Sequence, residues 1–110
     1  MTDTMNRYPM TPSIARREYR FTESGAASQI IVQLGTPSPF PDAPHGDWYC
    51  PWTIDGPGLS TQNHAGGIDS LQALLLAVSG LRAELEHLAR NGQLEWHGGG
   101  LGLDLVGLPG

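Results

Sequence analysis

The chain has 110 residues, 39% of them hydrophobic and 15% charged, with a formal net charge of −5. A chain of this length hides roughly 65% of its extended surface on folding, enough for one modest core and too little for a two-domain enzyme closing on a cleft. It has no lysine, and four of its six arginines (Arg7, Arg16, Arg17 and Arg20) lie in the first twenty residues, so the body lacks the cationic face that a nucleic-acid binder needs.

Residues 1–15 carry Pro9 and Pro12 and show no hydrophobic period; they read as a disordered N-terminal arm ahead of a single α+β domain over 16–110. The arm has no apolar stretch of the secretory type, and the longest apolar run, Ala73 to Val78, is far short of a membrane span. Cys50 is the only cysteine, which excludes an internal disulfide. These features predict a cytoplasmic protein with no membrane partner.

Tyr19 and Phe21 alternate with polar residues and predict a strand over 16–23. Ser24-Gly25-Ala26 supplies turn residues. Gln29 to Leu34 predicts a second strand over 28–35, with Ile30, Val32 and Leu34 on one face and Gln29, Ile31 and Gln33 on the other. The short connection makes the two a hairpin. Residues 35–47, with four prolines and two glycines, predict a loop. Trp48, Cys50, Trp52 and Ile54 then alternate onto one face of a third strand. Pro51 in that strand predicts an edge or a bulge. Residues 55–67 (DGPGLSTQNHAGG) read as another loop.

The strongest local signal predicts a helix over 69–90, with Asp69 as N-cap and Gln72 completing a capping box. Leu71, Leu74, Leu75, Val78, Leu81, Leu85 and Leu88 recur at helical steps. The apolar first half implies burial on more than one side. Gly80 implies close approach of a neighbour or a slight kink. Arg90 and Gly92 predict a cationic last turn and a C′ glycine. Gln93 to Trp96 alternates as a short strand, and Leu101 to Leu108 suggests a final extended segment. The predicted order is β-β-β-α-β: a small antiparallel sheet with one long helix packed on one face, the two-layer α+β solution. Trp48 and Trp52 are expected in its core, against Leu74, Leu75 and Val78.

The string D-W-x-C-P-W-x-I-x-G, carried by Asp47, Trp48, Cys50, Pro51, Trp52, Ile54 and Gly56, is joined by G-I-D-S-L-Q-A-L-x-L-A from Gly67 to Ala77 and a terminal G-L-P from Gly107 to Pro109. Together they resemble a family of small uncharacterised bacterial proteins that carry a domain-of-unknown-function label. The resemblance covers roughly residues 16–110 and implies one small domain of strands plus a long helix. It implies no activity. Gly98-Gly99-Gly100 departs from the pattern.

Cys50, flanked by His45 and His64 with Asp47 to orient a histidine, sketches a thiol site. Against it, a lone cysteine on the Trp48/Trp52 face reads as a small buried hydrophobe. No two histidines lie closer than ten residues, so no metal-ligand spacing exists, and no metal or other cofactor is expected. Gly66-Gly67 ahead of the helix is a poor anion site because the Asp69 carboxylate occupies the cap. Gly98 to Gly102 lacks the helix that a dinucleotide loop requires. Tyr49, Ile31 and Gln33 mark the sheet face that one helix leaves open, and are the candidate contacts for a partner. The reading favoured is a non-enzymatic protein-interaction or accessory module, working as a homodimer or with another protein. The alternative is a small ligand-binding protein or enzyme using loops 36–47 and 55–67 around Cys50.

Overall fold

A computed structural model describes residues 8–42, 45–97, 101 and 103 of the protein. The elements are β1 (Ser13–Glu23), β2 (Ala26–Gly35), β3 (Ser38–Pro39), β4 (Trp48–Gly56), β5 (Leu59–Gly67), α1 (Ser70–Leu88) and β6 (Gln93–Glu95). All strand pairs are antiparallel. The sheet runs β3-β4-β2-β1-β6, with β5 on β4, and curls into a half-barrel beside the helix. The α+β class with one helix on an antiparallel sheet is as expected; the order is not, because the chain forms five strands before the helix.

The largest correction is β5. Residues 59–67 read as loop because they are polar on both sides and show no alternation. Pro57 and Gly58, the latter at φ +68°, make the turn. Every residue from Leu59 to Gly67 is then registered with β4. Backbone pairing and cover by α1, whose main strand neighbours are β4 and β5, sustain this strand without an apolar pattern. β5 also moves Pro51 to the interior. β3 is registered with Trp48 and Tyr49, and β2 with Trp52 to Asp55. Pro51 falls in the gap between those two neighbours, which is where a central strand tolerates a residue without an N–H.

The β1–β2 hairpin closes on two residues, Ser24 and Gly25, both at positive φ, as tight hairpin turns require. β2 therefore starts at Ala26 rather than 28. β1 starts at Ser13 rather than 16. The preceding segment also lies against the fold. Tyr8 meets Phe40, Tyr49 and His64 with ring centroids 4.7 to 5.5 Å apart. Tyr49 donates its hydroxyl to Pro9 O, and Thr36 N donates to Pro12 O at 2.9 Å. Residues 1–7, most of the expected arm, lie outside the described residues. So do 98–100, 102 and 104–110, which hold most of the expected final segment. Leu101 is fixed by its carbonyl, which accepts from Tyr19 Oη at 2.7 Å and Arg17 Nη1 at 3.1 Å.

α1 begins as predicted. Asp69 caps it, its side chain accepting from Gln72 N at 2.7 Å. Gln72 reaches back to the Ile68 N–H at 2.8 Å. The helix ends at Leu88 with Ala89 as C-cap, so Gly92 is not the C′ residue. Its role is packing: a Cβ there would lie 2.7 Å from Phe21 Cζ.

The core joins Tyr19, Ile30, Val32, Cys50, Trp52 and Ile54 of the sheet to Ala73, Ala77, Leu81 and Leu85 of the helix, with Leu94 of β6. Trp52 packs its six-membered ring against α1 at Gly80, where an added Cβ would come within 2.6 Å of Cη2. Its Nε1 donates to Glu84 Oε1, one turn further on. Gly80 thus marks the close approach anticipated for it, while Leu75 is half exposed rather than packed on the tryptophans.

Two predictions follow from this packing. Gly80→Ala should lower stability by about 1–2 kcal/mol in urea denaturation, since overpacking outweighs the ~1 kcal/mol gain in helix propensity. The second concerns His64, whose pKa burial holds below the ordinary histidine value. Protons then bind more readily to the unfolded chain. His64 therefore contributes stability that is full above about pH 6.5 and is lost as the pH falls below it. Melting curves at pH 7.5 and 5.0 should show that loss, and His64→Gln should reduce it.

Candidate interaction surface

The sheet separates the residues of the sketched thiol site. Cys50 is registered with Ala65 and packs in the core beneath the helix, fully buried. His64 is registered with Pro51, one residue on, and so projects from the opposite face. There it sits among Tyr8, Phe40 and Tyr49. His45 is exposed and Asp47 half-buried in the loop before β4. The Cys50 thiol donates to Gly35 O at 3.3 Å, and burial pushes its pKa up to about 11. A nucleophilic thiol needs the opposite shift. Among the described residues no group of three or more His, Cys, Asp or Glu is placed to hold a metal ion. An apolar groove of about 300 Å³ between β5 and the second half of α1 is lined by Ile54, Leu59, Thr61, Ala83 and Leu88. Of its two ionisable linings, Glu84 and His87, the first is already engaged by Trp52.

The open face of the sheet also differs from expectation. Tyr49 is buried there under Tyr8 and stacked on Phe40 at 5.2 Å. Ile31 is flanked in register by Glu18 and Asp55, and Gln33 by Arg16 and Thr53. Several of the polar groups pair: Arg16 with Glu18 at 2.7 Å, Gln29 donating to Glu18 and Ser60 donating to Asp55, while the buried Thr53 Oγ1 has no hydrogen-bond partner. Arg20 faces Glu95 across the β1–β6 pair, while Arg17 lies on the other side, 3.7 Å over the Trp96 ring. The face is a solvated lattice of mixed charge, closed at one end by aromatic rings.

The apolar surface lies on the helix instead. In the second half of α1 the arrangement is ordinary, with Leu81 and Leu85 buried and Glu86 exposed. In the first half it is inverted. The fully buried residues are Ala73 and Ala77; Leu74 and Val78 are partly buried, Leu74 against the core, while Leu71 is 62% exposed, Leu75 50% and Leu76 46%, with Ile68 just before the cap at 74%. Close approach to the sheet forces this phase. A Cβ on Gly67 would lie 2.6 Å from Ala73 N, so no large side chain fits between β5 and the helix at Ala73. Periodicity could not reveal the inversion, because alanines and leucines recur at the same spacing. The informative signal is the run of small residues Ala73, Ala77 and Gly80 along one helix face, with Gly67 of β5 opposite Ala73.

Among the described residues no helix is long and apolar enough to cross a membrane. No curated protein and no solved structure is matched by the chain. The model of one family, described as a domain of unknown function (DUF6968), matches residues 15–105. That match takes in every strand from β2 to β6, the whole helix and nearly all of β1, and the chain belongs to the DUF6968 family.

Proposed function

We propose that the domain is a non-enzymatic interaction module, an accessory or regulatory factor that engages a protein through the outer face of α1. The carrying observation is the inversion: Ile68, Leu71, Leu75 and Leu76 stand together in solvent while alanines fill the core beneath them. Single exposed leucines are common on protein surfaces and mean little. Four large apolar residues on and just before the first turns of one helix leave apolar surface open of the kind that marks interaction sites. Solvent exposure of this kind brings the fold nothing, so its rationale lies in a contact. The buried, unpaired thiol suits a reducing compartment, and the reading is of a cytoplasmic bacterial protein. The thiol-centred alternative has no comparable support, because Cys50 and His64 occupy opposite faces.

The double variant Leu71→Glu/Leu75→Glu should keep the wild-type far-UV spectrum and lie within about 0.5 kcal/mol of wild-type stability, as exposed substitutions do. It should lose whatever the wild type retains, a captured protein from source cells or its own kind. Equal retention by both proteins ends this reading. Cys50 should stay unlabelled by iodoacetamide in the native state and react only on unfolding. Native-state labelling at the rate of an exposed thiol would bring the thiol-centred alternative back.

A further inference from the structure

We infer that the aromatic end of the outer sheet face is a recognition site for an extended peptide of the Tyr-Pro-x-x-Pro kind, and that Tyr8 to Pro12 fills it as a tethered ligand. The site is separate from α1 and goes beyond the interaction reading above, which stands or falls without it.

The occupying segment is pre-set by its sequence, Tyr8-Pro9-Met10-Thr11-Pro12. Each proline fixes its own φ at about −65° and holds the residue before it in an extended conformation. Tyr8, Pro9, Thr11 and Pro12 are therefore biased to polyproline II before they touch anything. Prolines also lack an N–H, so the segment offers mainly carbonyl acceptors. The fold meets these with donors. Gln62 Nε2 donates to Tyr8 O at 3.2 Å and Tyr49 Oη to Pro9 O at 3.1 Å. Thr36 donates to Pro12 O through its N–H at 2.9 Å and its hydroxyl at 2.8 Å. Those donors come from β5, β4 and the residue after β2. Carbonyl capture beside an aromatic-lined seat is how proline-rich segments are read.

The seat is built for one ring. Tyr8 stands edge-on to Phe40 and His64, at 4.7 and 5.1 Å between centroids, and tilted on Tyr49 at 5.5 Å. Its hydroxyl lies 3.4 Å from Asp42 Oδ1. Two glycines clear the ground. An added Cβ on Gly66 would press on Phe40 at 3.2 Å, and one on Gly35 would strike Thr11 Oγ1 and come within 3.2 Å of Met10 Cε. Neither the segment nor Phe40 and His64 belong to the core cluster, so the seat can be vacated without opening the core. The rest of this face is the mixed-charge lattice, and only this end offers rings and donors together. A tethered occupant competes at an effective concentration of about a millimolar. A free peptide therefore binds the wild type only by displacing it.

Fluorescence anisotropy of a labelled peptide of residues 6–12 (NRYPMTP) tests this on the full chain. Tyr8→Ala, which empties the seat, should bind the peptide with a Kd of roughly 10 µM to 1 mM, and the wild type at least about ten-fold more weakly. The same peptide with alanine in place of tyrosine should bind neither. Tyr49→Phe, added to Tyr8→Ala, keeps the ring, loses the donor to Pro9 O and should weaken binding. The far-UV spectrum reports folding, and Tyr8→Leu replaces Tyr8→Ala if the latter does not fold, with the same order expected. A folded variant that binds no peptide overturns the inference. So does equal binding by variant and wild type, or equal binding of the two peptides. A wild-type dimer that disappears in Tyr8→Ala, with no peptide bound in trans, assigns the seat to segment exchange between copies and overturns it too.

Discussion

The contact between the Trp52 indole and the backbone of α1 at Gly80 sets the geometry of the whole domain. A ring against a helix needs a position without a side chain, and Gly80 supplies it. The Nε1 donor needs an acceptor once buried, and Glu84 supplies that one turn later. Together they fix both the distance and the rotation of the helix over β4. The rotation turns Ala73, Ala77, Leu81 and Leu85 inward. It also turns Leu71 and Leu75 outward, so the exposed apolar surface is a consequence of how one tryptophan is seated.

Much of this was legible in the residues. The hairpin, the alternation of Trp48, Cys50, Trp52 and Ile54, and the Asp69 cap are local signals, and each lies where local chemistry puts it. Cys50 read as a small hydrophobe on the tryptophan face, and it is buried there. What local chemistry cannot report is pairing between distant segments. β5 has too little apolar pattern to declare itself and becomes a strand only because β4 lies alongside. Tyr8 has no periodicity and finds its place through rings contributed by Phe40, Tyr49 and His64. The phase of α1 was hidden for a related reason. Two stripes share one spacing, and hydrophobicity favours the leucines, while the closest approach to the sheet takes the alanines, with Leu74 at its edge.

The two faces of the sheet divide the remaining work. Beneath the helix lies the apolar core, extended past β1 by Leu101 and Leu103 and held there by Tyr19 and Arg17. On the other face, charges and amides of β1, β2, β4 and β5 pair across the strands, and the Tyr8 segment crosses one end. Burying such a lattice against a partner would require each of its charges to find a new partner or lose its solvation. The sheet is therefore a poor docking surface even though a two-layer fold leaves it open, and Ile31 and Gln33 have too little apolar company there to change that.

The helix presents the reverse balance. Its outer leucines contribute almost nothing to the folded state, since a side chain half in water keeps much of its unfolded hydration. They also carry a liability, because contiguous exposed apolar surface invites non-specific association. Polar residues with equal helix propensity would serve the fold as well, and Glu86 on the same outer face of the second half shows that the helix accepts them. A sequence that fits its structure from the cap at Asp69 to the clearance at Gly80 breaks the pattern most at Ile68, Leu71, Leu75 and Leu76, four of the five large hydrophobic residues exposed among the described residues, the other being Ile14 in β1. Local inconsistency concentrated on one helix, in a fold otherwise largely consistent across levels, is what the proposed contact would account for.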